Sequence, residues 1–263
     1  MFKRIGLVGV FFGCFNCLFA EQQVSLFWWK KSKLELNFGD DLSPLLVERI
    51  LKCPLKQDQK YKQQLLALGS ILHFARDGDI VWGSGLNGKI ERAKHTFTHL
   101  DVRAVRGPLT RNFLRSKGIY CPTVYGDPAL LMPILFPELK KQPTLEYIVI
   151  PNKNEIEEFT KYPNVVSPKQ DCMIVVEKIL KAKLVISGSL HGIVVAEAFG
   201  IPAKLLKITS KEPIFKYQDY YWGTGRKKFK IAYSLEEALK MGGEQKPIID
   251  LKKLLESFPY DKF

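Results

Sequence analysis

The chain has few of the residues from which disulfide frameworks and metal centres are built. It has 263 residues, of which five are cysteine and four are histidine. Only Cys14 and Cys17 lie close together in the sequence, and both fall in an apolar stretch near the start, so we assign them no redox role. The cysteines match neither a disulfide scaffold nor a zinc pattern, and we expect no metal site.

Acidic residues are also scarce. Asp and Glu number 27 against 40 Lys and Arg, which gives a formal net charge of +13 at pH 7. Such an excess favours anionic partners, among them phosphates, acidic glycans and anionic membrane surfaces. The basic residues are scattered and form no nucleic-acid-binding motif, so we expect no nucleic-acid partner.

The first 20 residues have no acidic side chain and are mostly apolar. Lys3 and Arg4 form a basic start, residues 5–19 form an uncharged apolar core, and Ala20 follows as a small residue. This order is typical of a signal peptide. We expect residues 1–20 to direct export or to anchor the chain in a membrane. An anchor that leaves the rest of the chain on the cytoplasmic face is the alternative.

Short apolar strands alternate with helical segments along the rest of the chain, a pattern that predicts an α/β fold with parallel sheets and right-handed crossovers. Prolines interrupt this pattern at residues 132–144 and mark a linker. We therefore predict two Rossmann-like parallel-sheet domains that face a cleft. The first covers residues 22–135, and the second covers residues 145–263 and includes closing helices.

The most informative segment runs from Leu184 to Ala203 and predicts a buried strand, a tight turn and a buried helix. His191 lies where the strand gives way to the helix. Open α/β sheets bind ligands at that edge, and a helix N-terminus there offers free N–H groups to an anion. His191 is therefore a candidate acid, base or anion contact. The alternative is that it caps its helix or bonds a neighbouring loop.

Three other strand-end loops combine glycine with polar groups, at residues 37–41, 83–88 and 103–108. Gly83-Ser84-Gly85 is shorter than a dinucleotide-binding fingerprint, and no acidic residue follows at the required distance. Together with the loop before His191, the three loops are more consistent with a single cleft than with unrelated turns.

Two arginines bracket the end of the predicted strand near residue 104. A guanidinium matches a carboxylate or phosphate with two hydrogen bonds, so Arg103 and Arg106 are candidate anion contacts. The alternative is a salt bridge to Asp101 or Asp127. In a similar way, one of Asp40 and Asp41 is expected to cap the following helix, and the other to act as a general base or to orient a sugar hydroxyl.

Six motifs occur in one order along the chain and cover most of residues 24–225. They are Asn37-Phe38-Gly39-Asp40-Asp41, Trp82-Gly83-Ser84-Gly85, Val105-Arg106-Gly107-Pro108-Leu109-Thr110, Gly126-Asp127-Pro128-Ala129, Ser187-Gly188-Ser189-Leu190-His191-Gly192 and Phe215-Lys216-Tyr217-Gln218-Asp219-Tyr220-Tyr221. Taken together, these motifs resemble the polysaccharide pyruvyl transferase family, especially its short bacterial members.

The resemblance implies a fold like that of the two-domain GT-B glycosyltransferases. It also implies transfer of an enolpyruvyl-derived unit from phosphoenolpyruvate to a sugar, which gives a cyclic pyruvate ketal. The donor is a substrate, and no other cofactor is implied. The acceptor would be a cell-surface polysaccharide or its lipid-linked oligosaccharide precursor, with membrane association.

The same resemblance assigns roles to individual residues. His191 and Asp40 would be catalytic, with His191 as acid or base. The implied donor-binding residues are Arg106, Ser189, Leu190 and Gly192. The cleft would further include Gly83, Ser84, Gly85, Arg103 and Asp41.

One feature conflicts with this reading, because phosphoenolpyruvate is cytosolic in bacteria whereas residues 1–20 predict export. Two other functions therefore stay open at the level of sequence. One is a GT-B-like glycosyltransferase that uses a nucleotide sugar. The other is an exported glycan-binding protein without catalytic activity.

Overall fold

Two parallel sheets organise the part of the chain that the computed structural model describes, namely residues 24–30, 36–55 and 62–263. Each sheet has four strands in sequential order. The first contains β1 (Val24–Phe27), β2 (Gln63–Leu66), β3 (Ile80–Trp82) and β4 (Asp101–Ala104). The second contains β5 (Ile148–Ile150), β6 (Val185–Ser187), β7 (Ala203–Leu206) and β8 (Ile231–Ala232). We call the units built on these sheets the first lobe and the second lobe.

Helices connect and cover the strands. They are α1 (Phe38–Leu51), α2 (Pro108–Ser116), α3 (Met132–Leu135), α4 (Cys172–Leu180), α5 (Leu190–Ala198), α6 (Phe215–Gly223), α7 (Leu235–Met241) and α8 (Leu251–Glu256). Strands β3, β5 and β6 are buried along their whole length, as expected for parallel strands with helices on both faces. The predicted α/β fold with two parallel sheets is confirmed, whereas the similarity to GT-B enzymes stays a prediction.

The long helix α1 joins the two lobes. The helix begins at Phe38, because Asn37 adopts the extended conformation of an N-cap and the Asp41 carboxylate accepts a hydrogen bond from the Asn37 N–H at 3.1 Å. Leu42 and Leu46 are fully buried in a core that also contains Ile150 of β5. This single core extends through both lobes and fixes the width of the cleft between them.

The C-terminal residues cross back to the first lobe, although the sequence assigned them to the second domain. The Trp82 indole donates to the Leu254 carbonyl at 3.0 Å, and its ring meets Phe258 edge to face at 5.0 Å. Arg103 of β4 binds Asp261 in the same region. The C-terminal segment therefore packs against β3 and β4 of the first sheet.

The proposed targeting segment, residues 1–20, lies outside the described residues. Within the described ranges, no helix combines the length and the apolar character needed to cross a membrane.

Candidate active site between the two lobes

A cavity of about 250 Å³ opens where the carboxyl ends of strands from both sheets meet. This is the edge at which open α/β sheets bind their ligands. Residues that follow β1, β2 and β3 line it on one side, and residues that follow β5, β6 and β7 line it on the other. The polar lining residues are Asn37, Asp40, Ser70, His73, Asn87, Lys89, Asn152, Lys153, Asn154, Ser189, His191, Glu212 and Lys216.

His191 lies in the first turn of α5, with its imidazole on the cavity wall. The residue is only 9% exposed, and its Nε2 lies 3.5 Å from Asp127 Oδ2. The other ring nitrogen, Nδ1, lies against Gly39 of α1, where a Cβ atom would collide with the ring. Gly39 is therefore required for the close approach of α1 to His191, and the imidazole is held from both lobes.

The loop before His191 is fixed by a network of hydrogen bonds. Ser187 Oγ accepts from the Ser189 N–H at 3.0 Å and lies 2.9 Å from the Ile150 carbonyl. The buried Tyr217 hydroxyl donates to the Gly188 carbonyl at 2.6 Å. Gly192 lies behind the loop, where a Cβ would collide with Ser187 Oγ. Of the predicted donor-binding residues, Ser189 and Leu190 thus line the cavity and Gly192 supports it from behind.

The two adjacent aspartates occupy different environments. Asp40 lines the cavity, accepts a hydrogen bond from the Asn37 side-chain amide and lies 3.5 Å from Lys153 Nζ in the second lobe. Asp41 lies outside the cavity lining, binds the Asn37 N–H and pairs with Lys30 at 3.4 Å. Asp40 is therefore available for chemistry, whereas Asp41 stabilises the start of α1.

Two lysines that line the cavity converge on one buried carboxylate, that of Glu212. Lys216 Nζ donates to Glu212 Oε2 at 2.6 Å, and Lys89 reaches across from the first lobe to Oε1. Burial opposes ionisation of Glu212, but the charges of Lys216 and Lys89 outweigh it and lower the pKa of its carboxyl group. Burial also lowers the pKa of Lys216, despite the attraction of Glu212. When all three groups are ionised, they carry a net positive charge at the cavity wall.

Arg106 does not line the cavity, contrary to the expectation that it binds the donor directly. The residue is 1% exposed, and its Nε donates to Asp219 Oδ2 at 3.2 Å. The guanidinium also donates to Ser70 Oγ at 2.6 Å and to the Leu86 carbonyl at 2.7 Å. Its flat face packs on Gly85, where a Cβ would lie 2.6 Å from the guanidinium carbon. Arg106 therefore positions Ser70, which does line the cavity.

The other predicted cleft residues lie behind the cavity wall. Gly83 has a φ of +94° and packs against Pro128 so closely that a side chain would collide with the proline ring. The hydroxyl of Ser84 donates to the Gly69 carbonyl at 3.0 Å. Arg103 pairs with Asp101 and Asp261, whose hydrogen bonds raise the pKa of its guanidinium. The salt-bridge alternative for Arg103 matches this arrangement.

Sequence reasoning missed several residues that line the cavity. Lys153 follows the buried strand β5 directly, and the same strand-end logic that singled out His191 would have found it. Lys216 belongs to one of the six motifs but was given no role. His73 also lines the cavity, where burial, together with the charge of the nearby His95, lowers its pKa.

The fold and the site define an α/β protein whose polar, partly cationic cavity is built from the strand ends of two parallel sheets. Residues 37–203 match the model of the polysaccharide pyruvyl transferase family. The chain belongs to this family of transferases. The matched residues include Asp40, Arg106 and His191.

Two relatives have similar sequences. An uncharacterized protein of Acanthamoeba polyphaga mimivirus is 24% identical over 209 residues, which cover 71% of this chain and 70% of that protein. The succinoglycan biosynthesis protein ExoV of Rhizobium meliloti is 26% identical over 196 residues, which cover 70% of this chain but only 60% of ExoV. A crystal structure of a functionally uncharacterized Klebsiella pneumoniae protein covers 76% of this chain and 87% of its own, with a TM-score of 0.49 and 12% identity.

Proposed function

We propose that the protein transfers an enolpyruvyl-derived unit from phosphoenolpyruvate to a sugar of an extracellular polysaccharide or of its lipid-linked precursor, and so forms a pyruvate ketal. The observation that carries this proposal is the position of His191, which lines the cavity together with Asp40 and three lysines. Membership of the pyruvyl transferase family supports the same reaction.

The reaction consumes one donor and two sugar hydroxyls. One proton adds to the vinyl carbon of phosphoenolpyruvate and turns it into a methyl group, which leaves an oxocarbenium-like centre at the neighbouring carbon. The two hydroxyl oxygens form bonds to that centre, its bond to the phosphate oxygen breaks, and inorganic phosphate leaves. Of the two hydroxyl protons, one balances the proton added to carbon and the other leaves with phosphate. The cavity must therefore supply an acid, a base and a counter-charge for an anionic donor.

Lysines Lys89, Lys153 and Lys216 are the groups suited to the donor's phosphate and carboxylate. Each lines the cavity, and each is paired with a single carboxylate of the protein, Glu212 or Asp40. In a partly buried site, an ammonium group attracts an anion more strongly than it does in water. The free N–H groups at the start of α5, beside His191, add to this attraction.

His191 is the proposed acid that protonates the vinyl carbon, and Asp40 is the proposed base for a sugar hydroxyl. Histidine serves either role near neutral pH because its ring gains and loses a proton there. An ionised carboxylate accepts hydrogen bonds only, so Asp40 suits the acceptor hydroxyl better than the donor's phosphate.

The acceptor sugar is proposed to bind at the rim formed by Trp29 and Phe74. Their rings are stacked, with centroids 5.0 Å apart, and both residues line the cavity. Trp29 is 37% exposed, so part of its ring is free to pack against the apolar C–H face of a pyranose. Replacement of Trp29 by alanine should raise the KM for the acceptor and leave the KM for the donor unchanged. Tyr233→Ala, at an exposed aromatic residue that does not line the cavity, is the control.

Calorimetric titration of the full chain with phosphoenolpyruvate tests the donor half of the proposal. We expect saturable binding that is weakened by about 10–100-fold when Lys216 is replaced, and phosphate release only when an acceptor glycan is added. Binding of a nucleotide sugar in place of phosphoenolpyruvate would favour the glycosyltransferase alternative. Glycan binding without donor binding would favour the non-catalytic one.

We further propose that residues 1–20 direct export or anchor the chain. A reporter fused after Phe263 tests this. Activity of the reporter only in the cytosol would indicate an anchor that leaves the cavity on the side where phosphoenolpyruvate is made. Activity only on the far side of the membrane would indicate export.

A further inference from the structure

We infer that Asp127 is the positioning residue of His191, and that it leaves the imidazole Nδ1 as the nitrogen that transfers the proton in the reaction proposed above. Asp127 belongs to the Gly126-Asp127-Pro128-Ala129 motif, to which the family resemblance assigned no role. The inference rests on the proposed function for its catalytic half, whereas the pairing of the two side chains is independent of it.

The first step of the argument is the environment of His191 Nε2. This nitrogen is buried and has no hydrogen-bond partner of ordinary length within the described part of the chain. Its nearest charged group is Asp127 Oδ2, at 3.5 Å. Hydrogen bonds between catalytic groups are often this long before substrate binds and shorten when it does. No other acidic oxygen among the described residues forms an ion pair with His191.

The second step is that Asp127 is held firmly. Its carboxylate is 1% exposed, and Oδ1 accepts a hydrogen bond from the Ala129 N–H at 3.0 Å, which caps the helical turn at Pro128–Leu131. That turn packs directly against α5, the helix that carries His191. Oδ2 is thus the oxygen left over for the imidazole, and neither partner can move far without disturbing the contact between the lobes.

The third step concerns the proton. An ionised carboxylate is only an acceptor, so it favours the histidine tautomer that has its proton on Nε2. In that tautomer Nδ1 has a lone pair and faces Gly39, which lines the cavity together with His191. The proton that His191 delivers to the donor's vinyl carbon then passes through Nδ1 alone. The carboxylate also stabilises the imidazolium that forms while His191 holds an extra proton.

Replacement of Asp127 by asparagine should reverse the tautomer. The asparagine carbonyl can keep the hydrogen bond to the Ala129 N–H, which turns its NH₂ group towards His191. An NH₂ group donates, so Nε2 must then accept and the proton must move to Nδ1. Nδ1 would then have no lone pair on which to take up the proton that it delivers to the vinyl carbon, and kcat should fall by about 10²–10⁴-fold, with little change in either KM.

The tautomer is measured directly by ¹⁵N NMR of the full chain labelled on its histidines, without any substrate. The four histidines are few enough for His191 to be assigned from the spectrum of His191→Gln. We expect a protonated Nε2 in the wild type and a protonated Nδ1 in Asp127→Asn. Asp171→Asn is the matched control, because Asp171 caps α4 with the same geometry and lies outside the cavity lining.

Three results would overturn the inference: a proton on Nδ1 in the wild type, the same tautomer in both proteins, or full kcat in a folded Asp127→Asn variant. If that variant does not fold, the wild-type spectrum alone decides which nitrogen has the proton. If the chain binds no phosphoenolpyruvate, the proposed function has failed, and the spectra still decide the pairing of Asp127 with His191.

Discussion

The Asp219 carboxylate of α6 and the Arg106 guanidinium form a buried ion pair that ties the second lobe to the first, with 3.0 Å between Nη2 and Oδ2. Asp219 also accepts hydrogen bonds from the Leu109 and Thr110 N–H groups, and so caps the start of α2. The Asp219 carboxylate thus links α6 of the second lobe to Arg106 and to the start of α2 in the first lobe. Arg106 supports the site through this pair and through Ser70.

Arg106→Ala should lower the free energy of unfolding by about 3–5 kcal/mol, because it leaves the buried Asp219 charge without its partner. The free energy of unfolding of Arg106→Lys should lie between those of the wild type and Arg106→Ala, since lysine keeps the charge but loses the planar guanidinium with its paired donors. Urea unfolding measures both. Arg103→Ala is the control, and its half-exposed pairs should contribute no more than about 1 kcal/mol. Equal stability of Arg106→Ala and Arg103→Ala would contradict this account of the ion pair.

His191→Ala should abolish transfer while the fold is retained. Loss of a general acid or base costs about 10²–10⁴-fold in rate. Initial rates of phosphate release and the thermal unfolding midpoint are the two measurements. His99→Ala provides the control, since His99 is exposed and does not line the cavity. Near-normal turnover by a folded His191→Ala variant would remove His191 from the mechanism.

Lys216→Met should weaken phosphoenolpyruvate binding by about 10–100-fold, as expected for the loss of one charge-assisted hydrogen bond of about 1.5–3 kcal/mol. Methionine has nearly the same length, so it fills the space that the lysine stem occupies. Calorimetry of donor binding gives the Kd directly. The control is Lys183→Met at an exposed ion pair outside the cavity lining. Unchanged donor affinity would show that the Lys216 cluster is structural.

The free energy of unfolding should begin to fall at a pH above the range in which the carboxylates of the protein gain protons. Burial lowers the pKa of both His73 and His95. The nearby His95 lowers the pKa of His73 further, and Lys117 lowers that of His95, although hydrogen bonds with the Glu91 and Arg92 backbone oppose the shift of His95. The unfolded chain then binds more protons than the folded one below about pH 6.5, so the free energy of unfolding falls as the pH is lowered through that range. Urea unfolding between about pH 7 and pH 5 measures this slope.

The double variant His73→Gln, His95→Gln should flatten that slope, whereas His99→Gln should leave it unchanged because His99 is exposed. A wild-type free energy of unfolding that is constant over this range would show that neither histidine is held neutral by burial.

The unit from β6 to α5 could be predicted from the sequence because its signals are local. Apolar residues form the strand, Ser187 to Ser189 form the turn, and Gly200 ends the helix. The Val165–Ser167 segment reads equally well as a strand, yet it forms only a single bridge between Val165 and Val149. β5 pairs over three residues with β6 on its other edge, and how far each pairing extends depends on packing over the whole lobe.

The site, like the fold, could be predicted from the sequence only where its signals are local. Strand-end position identified His191 and Asp40, since parallel strands bring their carboxyl ends to one edge. Arg106 looked like a ligand-binding residue because its partner Asp219 lies 113 residues further along the chain. The cavity lysines could not be predicted from the sequence, because they are scattered among 40 basic residues. Only the fold brings Lys89 next to Glu212.

The most direct test of the proposed reaction follows the carbon atoms of the donor. The full chain is incubated with phosphoenolpyruvate labelled with ¹³C at its vinyl carbon and with polysaccharides from which ketals have been removed by mild acid. We predict a new labelled methyl signal of a ketal on a polysaccharide, with one phosphate released for each ketal formed, and neither product with His191→Ala. Donor that stays intact with every acceptor, together with no measurable heat of donor binding, would contradict the account.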